Sequence, residues 1–141
     1  MVLQEEALAE YTILDVRMVP MVDVEQDIEW ICKSFGFLES RDKEKTAARI
    51  FRALLEATKR GEGLSSDELA EKLGLSRGTM VHHLNKLMKS GLVIHHQGRY
   101  KLRAFSLQRT VEEVKRDIAR VFENINQVAK SIDENLGLLH R

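Results

Sequence analysis

Residues 68–91 read ELAEKLGLSRGTMVHHLNKLMKSG. Just ahead, Ser65-Ser66-Asp67-Glu68 sets a serine three residues before a glutamate. At that spacing a hydroxyl and a carboxylate each accept from a backbone amide that a helix start leaves unpaired. The short helix that follows turns Leu69, Ala70 and Leu73 inward. Gly74 supplies the positive φ of a tight turn. Ser76 caps a second helix, 77–89, which stops before Gly91. Two short helices across a tight turn form a helix-turn-helix. On the second helix Met80, His83, Leu84 and Leu87 share one face at i, i+3, i+4, i+7, so that face packs on the preceding helices. The opposite face presents Arg77, Gly78, Val81, His82 and Asn85.

That outer face suits the edges of bases in a DNA major groove. Arg77 can bind guanine with two hydrogen bonds, Asn85 adenine, and Val81 a thymine methyl, while Gly78 permits close approach. Ser76, Thr79, Lys86 and Lys89 sit where they can hold phosphates, which positions the helix without reading sequence. Two short strands then follow, Leu92 to His96 and Arg99 to Arg103, joined by Gln97-Gly98 as a hairpin. Alternation along the second places Arg99, Lys101 and Arg103 on one side and Tyr100 and Leu102 on the core side. The hairpin thus reads as a basic wing beside the second helix, with Arg99, Lys101 and Arg103 expected on the phosphates of the DNA backbone.

Charge is segregated along the chain. The 141 residues carry no net formal charge, but residues 1–40 hold nine acids and two bases, whereas 72–111 hold no Asp or Glu, eight Lys or Arg, and four of the five histidines. Such asymmetry marks a local anion-binding surface despite the neutral total.

Outward from this centre, Thr12 to Val19 alternates apolar and polar residues and predicts a strand closed by Pro20. Asp23, with Gln26 three residues on, opens a helix carrying Val24, Ile28, Ile31 and Phe35 to Gly36. Residues 1–10 read as a short helix or a frayed end. A further helix is expected from about Asp42 to Lys59, with Ala47, Ile50, Phe51, Leu54 and Leu55 inward. Thr110-Val111-Glu112-Glu113 reads as a capping box opening a long helix to about Leu136. In heptad terms Val111, Ile118, Ile125, Ile132 and Leu139 occupy a, Val114, Val121 and Val128 occupy d, and Phe122, Ala129 and Leu136 occupy e. This face is wider than a two-stranded seam, and β-branched residues at d are poor in a parallel pair. The helix is therefore expected to join copies of the chain, as a homodimer or else a tetramer, through Val111, Val114, Ile118, Val121, Phe122, Ile125, Val128 and Ile132, with the 23–35 helix as a further packing partner. The expected organisation is an N-terminal extension (1–40), a mainly α winged helix-turn-helix with a small β-hairpin (41–105) and a C-terminal oligomerisation helix (106–141).

The stretch LSRGTMVHHLNKLMKSGLV resembles the recognition-helix motif of ArsR-type winged-helix repressors, through Leu75, Ser76, Thr79, His82, His83, Leu84, Leu87, Gly91, Leu92 and Val93. The chain as a whole resembles archaeal winged-helix regulators with an N-terminal extension and a long C-terminal helix. The resemblance implies a dimeric transcriptional regulator of double-stranded DNA. It implies no effector, because the helix before the recognition helix, Ser66 to Glu71, lacks the cysteine pair of the metal-sensing members.

Other chemistries find little support. Adjacent histidines such as His82 and His83 diverge on a helix and cannot share a metal, and no Cys-x-x-Cys or His-x-x-x-His spacing occurs, so no metal and no cofactor is expected. Cys32 reads as core filling, as do Trp30 and Phe37. No nucleophile–base pair, phosphate loop or carboxylate dyad suggests an enzyme. No apolar run reaches the ~18 residues of a membrane span. A start at Met1-Val2-Leu3-Gln4-Glu5-Glu6 without a basic and apolar leader suggests the cytoplasm. The competing expectation is a winged helix used as a protein-interaction module in a transcription or replication assembly, which the neutral total and the acidic N-terminus favour.

Overall fold

The computed structural model describes residues 8–21, 23–38 and 44–138. The expectations for residues 1–7, for a helix start at Asp42 and for Leu139 and His140 lie outside these residues. The elements in chain order are α1 (Val24–Ser34), α2 (Thr46–Lys59), α3 (Ser66–Leu73), α4 (Arg77–Lys89), β1 (Val93–His96), β2 (Arg99–Leu102) and α5 (Leu107–Leu136). Among the described residues, five helices with one antiparallel hairpin make a winged helix with a long C-terminal helix.

The core is built around α2. Its Ile50, Phe51 and Leu54 are fully buried. They meet Leu69 of α3, Met80, Leu84 and Leu87 of α4, Leu92, Val93 and Leu102 of the wing, and Ile28 and Cys32 of α1. Each such side chain contributes roughly 1.5–3 kcal/mol by leaving water, so the face that packs α4 is fixed by its apolar row. The α3–α4 turn forms as its residues dictate. Ser65 accepts from the Glu68 amide at 3.0 Å while Glu68 accepts from the Ser65 amide at 3.0 Å, and Gly74 takes the left-handed conformation at φ 66°.

In the wing, Val93 pairs with Leu102 and His96 with Arg99. Gln97 and Gly98 both have positive φ, 52° and 76°, the backbone that matches a two-residue turn to the twist of its strands. Tyr100 also exchanges backbone hydrogen bonds with Leu64, at 2.7 and 2.9 Å, so residue 64 serves as a one-residue third strand. A Cβ at Gly63 would stand 2.7 Å from the Tyr100 carbonyl oxygen, which explains the glycine there.

Four expectations need correction. Thr12 to Val19 forms no strand. The segment is instead tied to α1, with the Leu14 amide donating to the Ser34 carbonyl at 2.8 Å and the Trp30 indole donating to the Arg17 carbonyl at 3.0 Å. Asp23 caps α1 by accepting from the Glu25 amide at 2.7 Å rather than through a box with Gln26. The long helix starts at Leu107, not Thr110: Ser106 is its cap, and Thr110 lies fully buried inside it. Finally, α1 packs on α2 rather than on α5. Arg52 pairs with Glu25, and Lys45 with Glu29 at 2.5 Å, so two acids of the N-terminal extension are neutralised by its own neighbour.

Candidate nucleic-acid interface

Helix α4 presents one buried and one open face. Met80, Leu84 and Leu87 are buried, whereas Arg77, Gly78, Thr79, Val81, His82 and Asn85 are all exposed. Nothing lies within 4 Å of the place a Cβ on Gly78 would take, so a flat object can approach the backbone there. The rings of His82 and His83 meet edge to face at 5.5 Å: His82 points outward and His83 is half-buried. At the helix start, Ser76 Oγ accepts from the Thr79 amide at 3.1 Å and donates to Thr79 Oγ1 at 2.9 Å. Both hydroxyls expected to hold a phosphate are therefore engaged with each other, and Ser76 acts first as a cap. Lys89 is exposed and Lys86 half-buried on the last turn.

The wing differs more from the expectation of three equivalent cations. Tyr100 and Leu102 are buried as the alternation requires. Arg99 donates to the Gly63 carbonyl at 2.6 Å and lies 3.3 Å from Glu68, so it braces the base of the wing against α3. The Glu68 carboxyl is held below its ordinary pKa, chiefly by the Ser65 amide, with Arg99 adding to it. Arg103 turns away from the outer surface: its Nε is 3.1 Å from Glu113 and its guanidinium donates to Asp117 at 2.5 Å. Asp117 is held below the usual carboxylate range by that hydrogen bond first. Lys101 is the wing cation with no ion pair among the described residues. His95 stacks flat on Tyr100 with ring centres 4.1 Å apart.

Residues 44–96 match the family model described as a helix-turn-helix domain. The match spans α2, α3, α4 and β1 and leaves β2 and α5 outside it. No curated protein matches the chain. Among solved structures the chain is similar to one described as a MarR family protein from Bacillus stearothermophilus, at 16% identity over 83% of this chain and 85% of that one, with a TM-score of 0.39.

Helix α5 divides into two halves. Val114 is 1% exposed and belongs to the chain's own core, against which Val111 and Ile118 also pack. All three were expected at an interface between copies; Val114 is instead covered by its own chain, whereas Val111 and Ile118 are half-buried and keep part of their surface open. Beyond Ile118 the apolar row is open: Phe122 is 63% exposed, Ile125 55%, Val128 61% and Ile132 50%, with Val121 at its edge. The charged group at the base of α5, Arg103 with Glu113 and Asp117, escaped the sequence reading. Its one trace was two acids four residues apart at the foot of a helix, directly after the acid-free stretch.

Cys32 is fully buried and its thiol is pushed up to about 12, by burial first and by Glu29 second. Phe37 is buried beside Phe35, their rings stacked at 6.2 Å. Among the described residues no group of three or more His, Cys, Asp or Glu is placed to hold a metal ion, and no helix is long and apolar enough to cross a membrane.

Proposed function

We propose that this chain is a sequence-specific double-stranded DNA-binding transcriptional regulator. In this reading α4 enters the major groove, Arg77, Val81, His82 and Asn85 meet base edges over Gly78, and Thr79, Lys86, Lys89 and Lys101 rest on phosphates. The observation that carries it is the open face of α4. Two side chains suited to bidentate base contacts and an approachable glycine share one exposed surface, inside a 40-residue stretch that has no acid to repel a phosphate. The match of residues 44–96 to a helix-turn-helix domain supports the same reading. The chain divides into an extension (1–40), a DNA-contacting domain (41–105) and an oligomerisation helix (106–141). The open row of α5 from Val121 to Ile132 joins two copies, or four.

Salt titration tests this directly. A dimer that neutralises ~6 to 10 phosphates loses affinity for a random duplex with a log–log slope of about −5 to −9 as salt rises. Affinity that ignores salt, or no retardation of duplex at any salt, refutes the proposal and leaves the same surface to a protein partner.

A further inference from the structure

Arg103 stands where three parts of the chain meet. Its amide donates to the Leu92 carbonyl at 3.0 Å, which extends the hairpin by one rung. Its guanidinium lies 3.5 Å from where a Cβ on Gly91 would stand, over the turn that leaves α4. The same guanidinium reaches Glu113 and Asp117 on α5. Arg120 shares Asp117 from one turn above, at 3.2 Å. Asp117 and Ile118 are also the last neighbouring positions of α5 with any burial. From Ala119 to Leu138 every residue but Asp133 is exposed.

Among the described residues, α5 is also held by a row of apolar side chains, Leu107, Val111, Val114 and Ile118, and by the buried Thr110 hydroxyl at its foot. An apolar row sets the distance of a helix from its neighbour but is non-directional. A two-armed guanidinium bound to carboxylates one turn apart is directional. The lever is long: α5 has 30 residues, about 45 Å at 1.5 Å per residue, so a small tilt at Asp117 moves the far half by several ångströms.

We infer that Arg103 is a positioning residue: it locks the direction of α5 relative to α4 and the wing, and so sets how far apart two recognition helices stand when α5 joins two copies. This rests on the reading above for its consequence at DNA, but not for the joint itself. Arg103 touches no base or phosphate in this role, although β-strand alternation had placed it among the phosphate-binding cations.

The test measures the joint without DNA. Nitroxide labels are placed at Glu71→Cys on α3 and Lys130→Cys on α5, both exposed positions outside the proposed contacts. Cys32 is buried and escapes labelling. Labelled chain is diluted into an excess of unlabelled protein, so that the pulsed-EPR distance is within one chain. The wild type gives one narrow distance. Arg103→Met and Asp117→Asn each broaden or shift it, and Arg103→Lys restores it in part. A duplex selected from a random pool by the wild type then binds Arg103→Met about tenfold more weakly, the size of an ordinary coupling between sites, while affinity for random duplex is unchanged. Distances in Arg103→Met and Asp117→Asn that overlay the wild type overturn the inference. If Arg103→Met does not fold, Asp117→Asn decides alone. A broadened distance with unchanged affinity for the selected duplex overturns the link to DNA spacing. A broadened distance in a protein whose wild type retards no duplex refutes the DNA reading and leaves the joint standing.

Discussion

Arg77 and Asn85 stand eight positions apart on α4, about 12 Å along the helix axis. That span matches three to four base-pair steps at ~3.4 Å each, so in the proposed docking the two side chains would read opposite ends of one short subsite, with Val81 and His82 between them. Arg77→Ala is accordingly expected to cost ~1–3 kcal/mol on the selected site and to relax the preference at one base position. Lys101→Ala is expected to weaken selected and random duplexes equally, because a phosphate contact carries no sequence information. Binding measured on both duplexes separates these, and equal loss from Arg77→Ala would make that arginine a phosphate contact. Arg99→Ala is a poorer probe of the backbone contact, since it also removes the brace to Gly63 and Glu68. Cys32 gives a residue-scale check on the packing of α1. With its thiol pushed up to about 12 and no exposed surface, it should resist iodoacetamide in the native protein and react at an ordinary rate only after denaturation. Fast native alkylation would mean that α1 opens from α2.

At the scale of elements, the sequence was most legible where a local rule acts alone. The box at Ser65 and Glu68, the cap at Ser76, the left-handed Gly74 and the Gln97-Gly98 turn each depend on a few adjacent residues, and each forms as their chemistry predicts. Ser65→Ala removes one arm of that box and should cost ~1 kcal/mol, lowering the melting temperature by ~3 °C in a chain of this size. An unchanged melting curve would mean that tertiary packing alone holds the eight-residue α3. The misreadings arise where a second partner decides. Alternation in Thr12 to Val19 predicts a strand, but a strand needs a neighbour, and the pairing positions of the wing at Tyr100 are taken by β1 and Leu64. That single-residue bridge is itself too short to leave a periodic signal. Thr110 carries the residues of a capping box. Its hydroxyl instead donates to the Ser106 carbonyl at 2.8 Å and accepts from the Ala104 amide at 3.1 Å, because Ser106 had already capped the helix one turn earlier. Of the candidate contacts, the outer face of α4 was legible from helical spacing alone. The engagement of Arg99 with Gly63 and Glu68, and of Arg103 with Glu113 and Asp117, was not, since strand alternation gives the side of a residue and not its partner.

On the scale of the molecule, the row from Val121 to Ile132 is what the chain leaves unfinished. The heptad pattern runs through the whole of α5, but the chain's own core covers only about its first three turns, ending at Ile118. Phe122, Ile125, Val128 and Ile132 then form a continuous exposed apolar surface on a helix whose other faces are charged. In the proposed assembly a second copy would cover this row, because the same row on a twofold mate is its own complement. Two recognition helices held about 34 Å apart in such an assembly would read a palindrome on successive major grooves. Ile125→Asp puts a carboxylate in the middle of that surface. In an isolated chain the position is open to water and the change should cost little, whereas in an assembly it buries an unpaired charge, an expensive change. The variant is therefore expected to keep the circular dichroism and thermal transition of a folded chain, to sediment as a monomer, and to bind a palindromic duplex far more weakly than the wild type while binding a half-site about equally. Val121 and Val128 at d disfavour a simple parallel pair, so the wild type should be sedimented over a range of concentration to separate two copies from four. A wild type that remains monomeric at micromolar concentration, or an Ile125→Asp variant that keeps both its assembly and its affinity for the palindrome, would assign the distal half of α5 to some other partner.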